Sequence, residues 1–407
     1  MNREVLRHPT FTGLVLISGA DAPGVTQSLF ETLSPFAIVV LDMEQVVIRG
    51  RLILTALLAL DPAHSDGLED DLLALGAKLG LDVAVDFTDI ERERESEIDS
   101  TALQLVILAK ELKPQAIAKV AAVINSHSGN VERFRRTAAY PVTAIEFDVS
   151  LPLNKSVQDL QRDLAELALT EGIDLAIEAG GLTRRSKRIV LLDMDSTFIQ
   201  QEVIDLLAED AGVGPEVKEI TERAMRGELD FAQSLEARTA LLSGLSEESV
   251  VKARSRITLT PGARTLVRTL HRLGHKVGIV SGGFTNVIEP LIVEMGLDFF
   301  RANTLEVVDG KLSGKLTGAI VDRAAKANFL IEFAASEGVP LSQTIAVGDG
   351  ANDLDMLKAA GLGIAFNAKP SVKAEADTSL NTPYLDAILY LMGIPREEIE
   401  AADQAEG

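Results

Sequence analysis

Four short, almost wholly apolar runs punctuate the C-terminal half of the chain, at residues 189–192, 276–280, 344–347 and 362–365, with helix-period stretches between them. Strands that are apolar on both faces suit a parallel sheet covered by helices on its two sides. Open sheets of this kind collect ligands beyond the carboxyl ends of their strands. The residues that follow each run are therefore where chemistry is expected. Between the first two runs lies a mostly helical insert, about residues 200–259. Further on, residues 303–316 carry Asp309-Gly310 between two β-type runs, a hairpin signature.

The first run ends in Asp193-Met194-Asp195-Ser196-Thr197. A single Asp there would serve as a helix cap. Two, spaced i and i+2 behind a buried strand, are costly without a cation. A calcium EF-hand also begins Asp-x-Asp, but it needs Gly and Glu at its sixth and twelfth positions, which hold Phe198 and Ile204. The second run ends in Ser281-Gly282-Gly283, a hydroxyl and bare backbone N–H groups suited to an anion. Alone, this tripeptide is also ordinary loop punctuation. Lys326 opens an apolar helical stretch and, alone, reads as a surface lysine. The third run ends in Gly348-Asp349-Gly350-Ala351-Asn352-Asp353, which alone would suit a plain turn. The conjunction carries the argument. On one rim of one sheet it places hard oxygen ligands for Mg²⁺, a hydroxyl, a cation and backbone donors, the parts needed for phosphoryl transfer through an aspartyl-phosphate. The five histidines form no metal-spaced cluster, and neither nucleotide-binding glycine motif is present.

Composition narrows the partners. The net charge of −22 disfavours nucleic acid and anionic membrane surfaces as general partners. With no cysteine, disulfides, thiolate nucleophiles and iron–sulfur clusters are excluded, and a reducing cytoplasm is the expected location. The first residues lack the apolar core of a signal peptide, and no run approaches the ~20 apolar residues of a membrane span.

The N-terminal half reads strand-helix-strand-strand-helix-strand over residues 11–88, the split βαβ pattern of ferredoxin-like folds. A charged stretch at residues 91–100 follows, and then the same order recurs to residue 177. A duplicated domain is the expectation, with a single irregular α+β domain as the alternative. A second, basic linker is expected at residues 180–188 and a frayed acidic tail at residues 395–407.

The ordered set Asp-Met-Asp-Ser-Thr, Ser-Gly-Gly, Lys326 and Gly-Asp-Gly-Ala-Asn-Asp resembles the haloacid dehalogenase superfamily and, with its intervening residues, the phosphoserine phosphatase branch. The first 180 residues resemble two ACT domains, ferredoxin-like amino-acid sensors, with Asp21-Ala22-Pro23-Gly24-Val25 matching the ACT ligand turn. The resemblance implies an α/β fold: a Rossmann-like parallel sheet with a helical cap at about 200–259, occupying residues 184–396, preceded by two α+β ACT-like domains at 11–95 and 100–180. It implies Mg²⁺-dependent hydrolysis of O-phospho-L-serine to L-serine and phosphate, the last step of serine biosynthesis. Asp193 would be the nucleophile and Asp195 the acid and base. Mg²⁺ would be held by Asp193, the backbone carbonyl of Asp195, and Asp349, with Asp353 behind them. Ser281, Gly282 and Lys326 would bind phosphoryl oxygens, with Asn352 helping; Glu202 would take the ammonium and Arg238 the carboxylate, with Met225 and Phe231 closing the apolar side. Asp21 and Gly24 would bind a regulatory amino acid, most simply serine, and the ACT domains would join a homodimer. The second domain lacks Asp-x-Pro-Gly and reads Glu111-Leu112-Lys113-Pro114-Gln115 instead. Two other readings stay open: a phosphatase or phosphotransferase for another small phosphomonoester, and a serine-sensing protein with an inert phosphatase domain.

Overall fold

The computed structural model describes residues 11–89, 99–181 and 186–406, so residues 91–98 of the first expected linker and 182–185 of the second lie outside the described residues. The chain divides into two compact units, residues 1–99 and 100–407.

In the first unit the order is β1 (Phe11–Ala20), α1 (Val25–Leu33), β2 (Val39–Ile48), β3 (Arg51–Ala59), α2 (Ser65–Leu79) and β4 (Asp82–Asp89). The antiparallel sheet runs β2-β3-β1-β4. Arg49 and Gly50, both at positive φ (49° and 76°), make the tight turn between β2 and β3. Period-two alternation sends Val15, Ile17, Leu52, Leu54 and Leu58 into a core with Leu29, Leu68 and Leu72 of the two helices. The opposite face carries Leu14, Leu16, Val46 and Ile53, all exposed.

The second unit opens with the same order: β5 (Ser100–Ala109), α3 (Pro114–Ser126), β6 (Asn130–Ala138), β7 (Thr143–Pro152), α4 (Val157–Glu171) and β8 (Asp174–Ala179), in a sheet ordered β6-β7-β5-β8. Then comes a seven-stranded sheet ordered β12-β11-β10-β9-β13-β14-β15. Its strands are β9 (Ile189–Leu192), β10 (Lys276–Phe284), β11 (Phe299–Val308), β12 (Lys311–Thr317), β13 (Thr344–Gly348), β14 (Leu362–Phe366) and β15 (Thr378–Leu380). Only the β11–β12 hairpin is antiparallel; Asp309 and Gly310 at its turn have φ of 50° and 72°. Strands β9, β13 and β14 are buried throughout, as helices on both faces require. The helical insert comprises α5 (Val203–Ala211), α6 (Gly214–Met225), α7 (Phe231–Ala240) and α8 (Glu247–Ser255), and Ile199 pairs with Leu259 at its neck. The remaining helices are α9 (Ala263–Arg272), α10 (Thr285–Met295), α11 (Arg323–Ser336), α12 (Leu354–Ala359), α13 (Pro370–Lys373), α14 (Ala387–Leu391) and α15 (Arg396–Glu406).

Two features depart from the sequence-based picture. The second ferredoxin-like sheet shares a core with the large domain: Val106, Leu108, Ala144 and Ala176 are buried together with Ile388, Leu389 and Ile399. Beside it, Thr378 Oγ1 donates to the Leu175 carbonyl at 2.7 Å, and the Asn381 backbone N–H and Nδ2 donate to Asp174 at 2.8 and 2.5 Å. The acidic tail, expected to fray, is helix α15: Ile399 is buried, Arg272 binds Asp403 at 2.5 Å, and Arg268 binds it too. Its composition suggested a solvated segment, but basic residues far away in sequence meet its charge. Among the described residues, no helix is long and apolar enough to cross a membrane.

Candidate active site

Strand β9 carries Asp193 to the carboxyl edge of the sheet, where its N–H donates to Val347 O of β13 at 2.8 Å. The chain then makes one wide turn, closed by the Ile199 N–H on Met194 O at 2.9 Å, with Ser196 in the left-handed region at φ 56°. Lys326, in the first turns of α11, is wholly buried; its Nζ donates to Asp193 Oδ1 at 2.7 Å and Asp353 Oδ1 at 2.6 Å. Burial pulls the lysine pKa down, but the charges and hydrogen bonds of the two carboxylates outweigh it and hold the pKa above its usual value. Asp353 Oδ2 accepts from the Gly350 N–H at 3.0 Å, and a Cβ on Gly348 would lie 2.4 Å from the Asp353 carboxyl carbon, so residue 348 must be glycine. Asp349 accepts from Thr197 Oγ1 at 3.0 Å.

Carboxylate oxygens of Asp193, Asp349 and Asp353 lie within 4.8 Å of one another. Burial, then the Asp353 charge, pushes the Asp349 carboxyl up to about 6. Asp193 is held well above the usual range by burial and by Asp353 and Asp349, with Lys326 opposing. Asp195 is raised by burial and then by Glu202. Three carboxylates around one ammonium leave an excess of negative charge. Such a hard-oxygen donor set fits Mg²⁺.

The pairing of β10 with β11 breaks between Val280 and Phe284, which frees residues 281–283 from the ladder. Ser281 Oγ accepts from the Gly283 N–H at 2.8 Å. Asn303, buried and not anticipated from sequence, donates to Gly282 O at 2.8 Å and accepts from the Val321 N–H at 2.8 Å. Gly282 lies under Phe231, and a Cβ on Gly283 would stand 2.8 Å from Asp195 Oδ2. Glycine is thus needed for this loop to approach the carboxylate.

From the cap, Glu202 stands at the start of α5 and accepts from Ser196 Oγ at 2.7 Å, while Asp195 Oδ1 accepts from the Val203 N–H at 3.4 Å. Helix α7 is started by a reciprocal cap, with Gln233 N–H on Asp230 Oδ1 at 2.8 Å and Asp230 N–H on Gln233 Oε1 at 3.1 Å. It presents Phe231 and Arg238. A cavity of about 900 Å³ is lined by Asp193, Asp195, Glu202, Phe231, Arg238, Gly282, Asp349 and Asn352. Ser281, Lys326 and Asp353 are buried behind this wall. The Met225 side chain lies outside the described residues. The wall also includes Asp205, Thr221, Arg323 and Lys369. Helical spacing from Glu202 and Met225 could have suggested the first two; no spacing pointed to the others.

Asp21 and Gly24 are in the first unit, on an exposed loop. Gly24 caps α1 at φ 93°, and the Asp21 N–H donates to Gly50 O at 2.9 Å. In the second ferredoxin-like domain the corresponding cap is Lys113, at φ −84°, with Pro114 as the first helical residue.

Comparison with known proteins agrees with this architecture. A haloacid dehalogenase-like hydrolase family matches residues 190–358, and ACT domain families match residues 12–86 and 101–178. The phosphoserine phosphatase of Streptomyces coelicolor is 52% identical over 96% of this chain and 94% of its own length. That of Mycobacterium tuberculosis is 48% identical over 96% and 95%. Among solved structures, a HAD family hydrolase of Salmonella enterica serovar Typhi aligns with TM-score 0.63 at 30% identity, over 71% of this chain and 98% of its own. The chain belongs to the phosphoserine phosphatase family, with a haloacid dehalogenase-like hydrolase domain that follows two ACT domains in the sequence.

Proposed function

We propose that the chain hydrolyses O-phospho-L-serine to L-serine and phosphate through an aspartyl-phosphate on Asp193, the last step of serine biosynthesis. One observation carries this reading. A single cavity is lined by Asp193, Asp195 and Asp349 together with Glu202 and Arg238, opposite charges suited to the ammonium and carboxylate of an amino acid.

Asp193 attacks phosphorus as the bond to the seryl oxygen breaks. Asp195, whose raised pKa favours its protonated form, gives its proton to the leaving alkoxide. It then takes a proton from water, whose oxygen attacks phosphorus and releases Asp193. Lys326, Ser281 and the N–H groups of the glycine loop receive phosphoryl oxygens. At ~4 Å two like charges repel by ~4 kcal/mol at an effective dielectric constant of ~20. A phosphate dianion facing these carboxylates therefore needs cations. Mg²⁺, held by Asp193, Asp349 and the Asp195 carbonyl, would supply positive charge to the phosphoryl oxygens. Glu202, fixed by Ser196, and Arg238 orient the serine end.

Mg²⁺ should raise the Tm of metal-free protein, and by more at pH 7.5 than at pH 5. Asp349 stands at about 6 in the folded chain against an ordinary 3.8. Without a cation the folded state keeps a proton that the unfolded chain has lost, so stability falls as pH rises through that window. A bound cation relieves the repulsion. Calorimetry with and without EDTA reads this, and equal increments at both pH values would contradict it.

We assign regulation by serine to the turn at Asp21 and Gly24, where the N-terminus of α1 offers N–H groups to a carboxylate. The exposed face bearing Leu14, Leu16, Val46 and Ile53 suits a homodimer contact. L-Serine should inhibit the full-length enzyme more strongly than full-length Asp21→Ala or Gly24→Val, both of which keep product inhibition. Initial-rate titrations with serine are the check, and identical curves for all three would remove the sensing role. Full-length protein is the right material, because cutting near residue 184 would uncover the core that β5–β8 share with α14 and α15.

A further inference from the structure

We propose that Thr221 is a positioning residue for Arg238, setting the guanidinium at the angle at which it receives the carboxylate of the substrate; this rests on the phosphoserine reading above. Arg238 is half-buried in the cavity wall, yet it forms no ion pair within 4.0 Å among the described residues. Acidic groups are nevertheless close: Glu202, Asp205 and Asp195 all act on its charge. A guanidinium withdrawn from water normally takes a carboxylate partner.

Arg238 is held by neutral acceptors instead. Its Nε donates to the Ser234 carbonyl at 3.3 Å, one turn back on α7. Its Nη1 donates to Thr221 Oγ1 at 3.5 Å, across the α6–α7 contact. The Thr221 hydroxyl has its own proton committed, donating to Val217 O at 3.0 Å. That bond fixes the hydroxyl rotor and leaves oxygen lone pairs for the arginine. No acceptor among the described residues takes Nη2. The arrangement restrains the guanidinium without neutralising it. An Asp at position 221 would anchor it as well but would cancel the charge the substrate needs. Thr221 also lines the same cavity as Arg238.

The test compares full-length wild type, Thr221→Val, Thr221→Ser and Arg238→Ala. Two constants are measured: KM for O-phospho-L-serine, and the inhibition constant of O-phosphoethanolamine, which has the phosphate and ammonium but no carboxylate. Thr221→Val replaces the hydroxyl by a methyl group in an otherwise unchanged helix. It should raise KM for phosphoserine about tenfold, the change that ~1.4 kcal/mol produces at 25 °C. It should leave kcat and the phosphoethanolamine constant near wild type, and Thr221→Ser should restore KM. Equal losses on both ligands would mean that Thr221 serves cap packing, and the inference fails. It fails too if Thr221→Val leaves KM unchanged, or if Thr221→Ser behaves like Thr221→Val. Arg238→Ala separates the layers of the argument. If it weakens phosphoserine alone while Thr221→Val does not, only the positioning role is lost. If it weakens both ligands equally, the carboxylate reading falls and takes this inference with it.

Discussion

Asp193→Asn is expected to abolish turnover of O-phospho-L-serine while leaving the fold in place. An amide cannot attack phosphorus, and phosphate monoesters are among the slowest substrates to hydrolyse without a catalyst. The expected residual rate is therefore below ~1% of wild type. The fold has no reason to fail. Asparagine keeps a carbonyl oxygen where Asp193 Oδ1 now accepts from Lys326 at 2.7 Å and from the Met194 N–H at 2.7 Å. It also removes one of three clustered carboxylates, so metal-free protein should be at least as stable as wild type. Steady-state rates, with circular dichroism and calorimetry on the same samples, decide it. Activity above a per cent, once deamidation back to Asp is excluded by mass spectrometry, would rule out Asp193 as the nucleophile.

Lys326→Met should damage both activity and stability. The lysine is fully buried between Asp193 and Asp353, at 2.7 and 2.6 Å. Removing one side of such a buried set leaves uncompensated charge and costs ~3–5 kcal/mol. At ~2–4 °C per kcal/mol for a domain of this size, Tm should fall by roughly 10 °C. The deficit should be smaller at pH 5 than at pH 8. With the ammonium gone, the Asp193 carboxyl, already held above the usual range by burial, loses the group that opposed this, so acid favours the folded variant. Turnover should be lost at every pH, because no cation remains at that place for the phosphoryl oxygens. A Tm within a degree or two of wild type at pH 8 would mean that Lys326 does not balance the cluster.

Much of the site was legible because it is built at strand ends. A run such as 344–347 is apolar for reasons of burial, and the Gly-Asp-Gly that follows is placed by the sheet itself. The insert likewise stood out by its helical spacing. What stayed hidden depends on contacts between distant segments. Lys326 looks like a surface lysine until α11 is laid on the sheet with Phe329 and Leu330 inward, which buries the lysine with them. Asn303 looks like any strand polar residue, yet it bridges Gly282 and Val321. Strand β15 is three residues long, too short for any period to mark, and it lies where the large domain meets the Asp174–Asn381 contact. The acidic tail looks solvated from its own sequence because the residues that balance its charge are distant along the chain. Arg136, Arg268 and Arg272, which pair with Glu397 and Asp403, come from elsewhere in the fold.

We propose hydrolysis of O-phospho-L-serine in this cavity, with Asp193 as nucleophile. Its most direct test is phosphate release by the purified full-length chain from O-phospho-L-serine, with Mg²⁺ and again with EDTA, with L-serine quantified in the same samples. The expected result is equal amounts of phosphate and L-serine, formed only with Mg²⁺, and turnover that exceeds that of phosphomonoesters lacking the amino-acid end. No release with Mg²⁺, undiminished release in EDTA, or equal rates on substrates without ammonium and carboxylate would contradict it.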